Sequence, residues 1–260
     1  LSAYTLGTNE RFFVRHKIEG YNISKLAFGT ANAKSITLSF WVRSSLTGTF
    51  GGSIQNSAGN RSYPFTFTIS AATTWEYKTI TVAGDTTGTW LTTNGIGLVV
   101  NFGLGVQGST YAGTAGAWNS NNNYSATGGN SVVGTSGATF YLTGVQLEVG
   151  DTATPFEHRS YGDELARCQR YYNTASNMWM AGQSYAASGT DGLVQVFRFP
   201  TEMRSSPTIS FSGGSDGGSN AAIYSGGVST SHVNVNLRST SGSDNAVWYQ
   251  NFTTIADAEL

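Results

Sequence analysis

The sequence predicts an all-β protein: a jelly-roll β-sandwich, then a short connector helix, then a smaller C-terminal β domain. Apolar and polar residues alternate through most of the first 150 residues, as in strands with one buried face. Segments rich in Gly, Thr, Asn and Ser separate these runs, and 33 of the 260 residues are Gly. One short segment after residue 160 has a helical period instead. We therefore expect a sandwich domain at 1–160, a connector at 161–172 and a tip domain at 173–260.

The alternation locates the strands of the first domain. In the first of them, Ile36, Leu38, Phe40 and Val42 share one face and are predicted to point inward. The intervening segments SSLTGTFGGS and AGDTTGTW are predicted to be connections, so an antiparallel sandwich of the jelly-roll type is the economical architecture. The strand candidates are ITLSFWVR (36–43), YPFTFTI (63–69), IGLVVNFGL (96–104) and TFYLTGVQLEV (139–149).

The only strong helix signal follows the sandwich. Ser160 can cap a helix, and Asp163 and Glu164 favour its positive end. An apolar stripe then runs along one helical face, and it must pack on the first domain or on neighbouring copies of the chain. The stripe comprises Tyr161, Leu165, Cys168 and Tyr172.

Strand patterns resume after this helix. They are separated by Gly/Ser-rich sequence such as SGGSDGGSN, which is typical of loops. A second, smaller β domain is therefore expected. The candidates are LVQVFRF (193–199), PTISFS (207–212), HVNVNLR (232–238) and AVWYQNFT (246–253).

The composition excludes several classes of function. Charged residues make up 11% of the chain, against roughly 25% in typical soluble domains, and the 14 basic and 15 acidic residues form no basic run. Nucleic acid is therefore not an expected partner. Cys168 stands alone, which excludes an intrachain disulfide, and the longest apolar run, IGLVV, is too short for membrane insertion. A surface of neutral hydrogen-bonding groups suits contact with sugars.

Five segments resemble the C-terminal parts of bacteriophage tail fibre and tailspike proteins. They are TLSFWVRSSLTGTF, TTWEYKTITVAGDTTGTW, VQLEVGDTATPFEHRSYGDELARCQRYY, FRFPTEMRSSPT and ADAEL. The first domain is similar to the jelly-roll carbohydrate-binding modules of such proteins. The resemblance implies a homotrimeric virion protein that acts outside the host cell, where it binds surface polysaccharide or lipopolysaccharide. It also implies that the first strand or strands of the jelly roll lie upstream of Leu1.

Glycan binding needs aromatic ring faces for the sugar ring and polar groups for its hydroxyls. The charge-free segment 105–137 supplies both, and its Trp118 is either an exposed stacking platform or a buried loop anchor. Trp41 and Trp75 either pack within their strands or, for Trp41, line a groove. The glycan-binding candidates are Trp118, Tyr111, Tyr124, Asn119, Asn121, Trp90 and Trp41.

Catalysis is not expected. Hydrolysis of glycosides needs two carboxylates about 5–10 Å apart, and the segment 86–147 contains none. Glu148 and Asp151 are candidate ligands for a structural calcium, since sugar-binding jelly rolls often hold one. The apolar stripe of the helix is the candidate trimer interface. The alternatives to glycan attachment are a purely structural, trimerising fibre tip and an accessory module of a polysaccharide depolymerase.

Overall fold

The structure is a computed structural model that describes residues 2–183, 191–216, 221–239 and 246–259. Within these residues it contains fifteen strands and only two short α-helices, which confirms the all-β prediction. The chain divides into two compact units, one ending at Glu157 and the other running from His158 to Glu259. The helix predicted as a connector lies in the second unit.

The first unit is an antiparallel sandwich. A four-stranded sheet of order β1-β6-β3-β4 faces a three-stranded sheet of order β5-β2-β9, and β7 and β8 form a small parallel pair. The chain passes repeatedly between the two sheets, as in a jelly roll. Its elements are β1 (Arg11–Glu19), α1 (Gly20–Ile23), a 3₁₀ turn (Ser24–Leu26), β2 (Ile36–Ser44), β3 (Gly48–Asn56), β4 (Ser62–Ile69), β5 (Glu76–Val82), β6 (Ile96–Val106), β7 (Ala112–Gly113), β8 (Ser125–Ala126) and β9 (Phe140–Val149).

The core lies between the two sheets. The four inward side chains predicted for β2 are all completely buried, and burial of each such side chain contributes about 1.5–3 kcal/mol. Phe40 of β2 contacts two rings of the opposite sheet, Phe67 at 5.1 Å and Phe102 at 5.0 Å between ring centroids. The alternating pattern therefore identified the correct face of this strand.

Two strands of the larger sheet were not predicted. β1 was not recognised, and most of β3 was predicted to be a connection because its sequence, GTFGGSIQN, contains three glycines. β3 lies between β6 and β4 and is buried on both faces from Phe50 onward. A Cβ atom on Gly51 would collide with Ser125, and one on Gly52 would collide with Phe65. Glycine is thus required by close packing here, not by a turn.

The segment 107–139 between β6 and β9 lies across the outer face of the four-stranded sheet, and we call it the cover segment. Gln55 of β3 donates from Nε2 to Oδ1 of Asn122 at 2.9 Å and to the carbonyl of Asn123 at 2.7 Å. Asn101 of β6 is completely buried beneath it, as is Asn123 itself. The cover segment therefore buries the outer face of the central strands β3 and β6.

The second unit begins with α2 (Tyr161–Gln169). The Ser160 hydroxyl accepts a hydrogen bond from the Asp163 backbone at 3.2 Å, as predicted for the cap. Tyr172 was predicted on the stripe of this helix but lies in a strand, because the helix ends at Gln169. Two three-stranded antiparallel sheets follow, of order β10-β15-β12 and β11-β14-β13. The strands are β10 (Tyr172–Gln183), β11 (Asp191–Arg198), β12 (Thr208–Asp216), β13 (Ala221–Val228), β14 (His232–Ser239) and β15 (Ala246–Asp257).

Candidate functional site

A cluster of exposed aromatic residues lies on the outer face of the three-stranded sheet. Trp41 of β2 is directly opposite Tyr77 of β5, and Arg43 of β2 is opposite Tyr141 of β9. Trp75, which precedes β5, completes the group. Each of the four aromatic residues is between 41% and 44% exposed. We call Trp41, Arg43, Trp75, Tyr77 and Tyr141 the aromatic face.

Part of this outer sheet surface, on β2, is covered by the chain itself. After β9 the segment 150–157 folds back over it: the Thr37 hydroxyl donates to the Gly150 carbonyl at 2.9 Å, and the Glu157 backbone donates to Oε1 of Gln146 at 2.7 Å. Thr37 and Ser39, which share the outward side of β2 with Trp41, are consequently buried. The aromatic face is the end of the sheet that this segment leaves open.

Pairs of rings organise the aromatic face. The Trp41 and Tyr77 rings lie 5.4 Å apart, and the Trp75 and Tyr141 rings lie 6.4 Å apart. The Arg43 guanidinium lies over both members of the second pair, 4.7 Å from the centre of Tyr141 and 5.9 Å from that of Trp75. Cation–π contacts of this kind hold a guanidinium in a defined plane. The face thus offers large ring surfaces beside one oriented positive charge.

The nearest charged pair on β5 is internally neutralised. Lys78 binds Glu76 at 2.7 Å, and Glu76 also accepts hydrogen bonds from the backbones of Ser70 and Ala71. The hydrogen bond from Lys78 is the main cause that lowers the pKa of Glu76 below its usual value. Of the two cationic side chains on this sheet, Lys78 and Arg43, only Arg43 therefore lacks a carboxylate partner.

Trp118 and Trp90 anchor loops instead of presenting a ring face to solvent. Trp118 is half-buried; its Nε1 donates to the Ala83 carbonyl at 2.7 Å, and its ring meets Trp90 edge-on at 5.4 Å. Trp90 is only 7% exposed, and its Nε1 donates to Asp85 at 3.3 Å. Trp90 is thus too buried to present a ring face to solvent, and the contacts of the half-buried Trp118 are those expected of a loop anchor, one of its two predicted roles.

Tyr111 and Tyr124 are brought together, but around two arginines. Arg11 lies 4.0 Å from the centre of the Tyr111 ring, and both Arg11 and Arg15 lie within 5 Å of the centre of Tyr124. Burial by itself would raise the pKa of the Tyr124 phenol. Hydrogen bonding to Arg15 and the two positive charges outweigh it and lower that pKa. Since Tyr124 is 7% exposed, it cannot stack on a sugar as predicted.

Asn119 and Asn121 belong to the cover segment. The backbone of Asn119 forms an antiparallel bridge with Ser62, and the Ser62 hydroxyl donates to Oδ1 of Asn119 at 3.0 Å and to the carbonyl of Asn121 at 2.7 Å. Oδ1 of Asn119 also accepts from the backbone of Asn121. The backbone and Oδ1 of Asn119 therefore stabilise the layer that covers the sheet.

The predicted calcium ligands, Glu148 and Asp151, form hydrogen bonds with neighbouring threonines. Both carboxylate oxygens of Glu148 accept hydrogen bonds from Thr154, one from its backbone and one from its hydroxyl. Burial alone would raise the pKa of Glu148, but the hydrogen bonds from Gln146 and Thr154 lower it. Asp151 accepts from the Thr152 hydroxyl at 3.3 Å. In the part of the chain that the structure describes, no three His, Cys, Asp or Glu side chains come together as a metal ion would require.

The helix stripe is open to solvent within the single chain. Tyr161 is 82% exposed, Leu165 and Tyr172 are about half as exposed, and Cys168 is an exposed free thiol. No residue of α2 is buried. The stripe is therefore available to a partner surface, as the predicted interface requires.

No protein-family model, curated protein or solved structure matches this chain. Across the described ranges, none of the helices is both long enough and apolar enough to cross a membrane. What the chain does must therefore be inferred from the geometry of its own residues.

Proposed function

We propose that this chain binds glycans through the aromatic face, without catalysis. The observation that carries the proposal is the group of four half-exposed aromatic rings on one open end of a sheet, in a sandwich whose other outer face is covered. Large side chains of this kind are normally buried, so a contiguous exposed group indicates a binding surface. Trp41, predicted as one of the glycan-binding residues, is part of this group.

The chemistry of the face suits a sugar ring. Aromatic rings bind the apolar C–H side of a pyranose, and hydroxyl groups beside them bind its polar edge. Thr79 of β5 and Thr143 of β9 are exposed and lie on the same side of the sheet as Trp41. Sheet residues of this type form a rigid, preformed surface, which lowers the entropy lost on binding.

The biological setting we propose is attachment of a phage to its host. The resemblance to tail fibre and tailspike proteins supports a homotrimeric virion protein that binds host polysaccharide or lipopolysaccharide. Attachment needs no catalysis, and the three carboxylates nearest the sandwich loops are engaged elsewhere: Glu76 with Lys78, Asp85 with Arg61 and Glu148 with Thr154. None of these three carboxylates is left free to act as one member of an acid–base pair.

Binding to a glycan array tests the proposal. The wild-type chain should bind at least one host-surface glycan, and Trp41→Ala should weaken that binding by 10-fold or more, since central aromatic contacts often carry more than 1 kcal/mol. Tyr21→Ala is the matched control, because Tyr21 is an exposed aromatic residue of the same unit that lies outside the aromatic face. Equal loss in both variants, or no glycan bound by the wild type, would contradict the proposal.

A second function, a purely structural trimerising tip, is favoured by different residues. Besides the exposed helix stripe, Val194 and Val196 of β11 are about half exposed. Apolar surfaces on two elements of the second unit are what a homo-oligomeric seam would bury. A chain that forms a stable trimer but binds no glycan would favour this function over attachment.

A further inference from the structure

Arg43 has no hydrogen-bond acceptor among the described residues. Its Nε is buried without a partner, whereas its two terminal nitrogens are accessible to solvent and also unpaired. The two flanking rings, Trp75 and Tyr141, contribute faces but no acceptor oxygen to the guanidinium plane. The four N–H donors on the terminal nitrogens of this guanidinium are therefore open to a ligand and have no acceptor among the described residues.

Three other partly buried arginines have hydrogen-bond acceptors. Arg61 binds Asp85 through two hydrogen bonds of 2.7 and 2.6 Å. Arg15 donates to Asn101 at 2.8 Å, and Arg204 donates to the carbonyl of Glu259 at 3.0 Å. Arg11, like Arg43, lies over two rings, but those rings, Tyr111 and Tyr124, belong to the cover segment and not to an open sheet surface.

The position of Arg43 is also fixed before any ligand arrives. The guanidinium lies over the rings of Tyr141 and Trp75, which are themselves exposed on the outer face of the sheet. Oriented guanidinium groups bind carboxylate, sulfate and phosphate oxygens through paired, charge-assisted hydrogen bonds. The other exposed side chains that surround Arg43 on the sheet are neutral: Trp41, Trp75, Tyr77, Thr79, Tyr141 and Thr143.

We infer that the aromatic face selects acidic glycans, with the rings stacking on the sugar and Arg43 binding an oxyanion that the sugar carries. This inference rests on the proposed function, and it narrows the ligand class from glycans in general to those with a carboxylate, sulfate or phosphate group. It differs from what the low charge of the chain indicates, which is a neutral ligand. One charge is sufficient for this selection because it stands among neutral side chains.

The test uses an array that holds neutral oligosaccharides together with uronate-containing, sialylated, sulfated and phosphorylated ones. The wild-type chain should bind acidic members more tightly than neutral members of the same backbone. Arg43→Gln should lower the affinity for the acidic ligand on the order of 10- to 100-fold, the value of a charge-assisted hydrogen-bond pair. Arg43→Lys should keep part of that affinity, because it retains the charge but loses the paired geometry.

The outcomes distinguish a failure of this inference from a failure of the proposed function. If only neutral glycans bind, or if Arg43→Gln leaves the affinity for the acidic ligand unchanged, the inference is wrong while glycan binding stands. If nothing on the array binds, the proposed function is wrong and the inference fails with it. Because Arg43 packs on two rings, the near-ultraviolet circular dichroism of Arg43→Gln must match that of the wild type. If it does not, the inference is tested with Arg43→Lys, which preserves the packed stem, by its ratio of affinity for acidic to affinity for neutral glycans. If Arg43→Lys binds carboxylated, sulfated and phosphorylated glycans no more tightly than neutral ones, the inference is also wrong.

Discussion

Replacing Trp118 by alanine should destabilise the sandwich without a specific effect on glycan binding. The ring packs against the core, with edge-to-face contacts to Trp90, Phe28 and Tyr63 at 5.3–5.8 Å, and its Nε1 donates to the carbonyl of Ala83. Loss of a large, well-packed aromatic ring costs about 3–5 kcal/mol when it is fully buried. Trp118 is half-buried, so we expect the lower end, about 3 kcal/mol.

Thermal unfolding measures this cost. For a unit of this size, 1 kcal/mol corresponds to roughly 2–4 °C, so Trp118→Ala should lower the melting temperature of the first unit by about 6–12 °C. Trp118→Phe keeps most ring contacts but loses the hydrogen bond to Ala83, which is worth about 1 kcal/mol. Its melting temperature should therefore fall by only about 2–4 °C.

Trp41→Ala provides the opposite pattern, because Trp41 lies on the aromatic face and is 44% exposed. Its melting temperature should change little while glycan affinity falls. Calorimetry and binding are measured on the same three variants, with affinity referred to the folded fraction. An unchanged melting temperature for Trp118→Ala, combined with loss of glycan binding, would refute the assignment of Trp118 as an anchor.

Three further predictions address the fold and the assembly. Asp85→Asn should lower the free energy of unfolding by about 3–5 kcal/mol, because it leaves the Arg61 charge unpaired in a nearly buried site. Burial alone would raise the pKa of Asp85, but Arg61 and Thr87 lower it. In the wild type this stabilisation is therefore complete above the usual Asp pKa of about 3.9 and is lost as pH falls through the lower folded pKa, which the melting temperature measured at acid pH detects. Gly103→Ala should destabilise the first unit by roughly 1–3 kcal/mol, because its Cβ would lie 2.6 Å from the Ser125 hydroxyl. Gly162→Ala in α2 is the control: its Cβ meets nothing within 4 Å, so the variant should be neutral or slightly stabilising. Chemical denaturation measures both effects. Light scattering should give the mass of three 27.5 kDa chains, and Leu165→Asp should shift it toward one chain; a monomeric wild type would contradict the trimer.

Alternation predicted β2, β4 and β6, in which apolar residues occupy every second position, even though β6 is buried on both faces. It did not predict β3, where three glycines interrupt the apolar pattern. The cover segment buries the outer face of β3, and every residue from Phe50 to Asn56 is buried. The glycines that permit this close packing resemble a loop in the sequence.

The same covering layer contains most of the glycan candidates predicted from the sequence. A run of Asn, Ser, Gly and aromatic residues without charge is typical of an exposed sugar-binding loop, but it equally suits a polar layer packed on a sheet, where each amide must find a partner inside the protein. On the sheet side, Gln55 lies 68 residues from its partner Asn123, and Asn101 lies 46 residues from Gln55, to which it donates; no local pattern reveals such pairs.

The residues of the aromatic face form a weaker pattern that can still be recognised in the sequence. In TWEYKT, Trp75 and Tyr77 are separated by two positions, as are Trp41 and Arg43 in FWVR, so aromatic residues occupy the outward positions where strands normally place Thr or Ser. One such strand is unremarkable, because isolated exposed aromatics are common. Two strands paired in register, Trp41 with Tyr77 and Arg43 with Tyr141, turn separate exposed residues into one surface. The sequence contains the residues of the aromatic face, but only the pairing of the strands makes them neighbours.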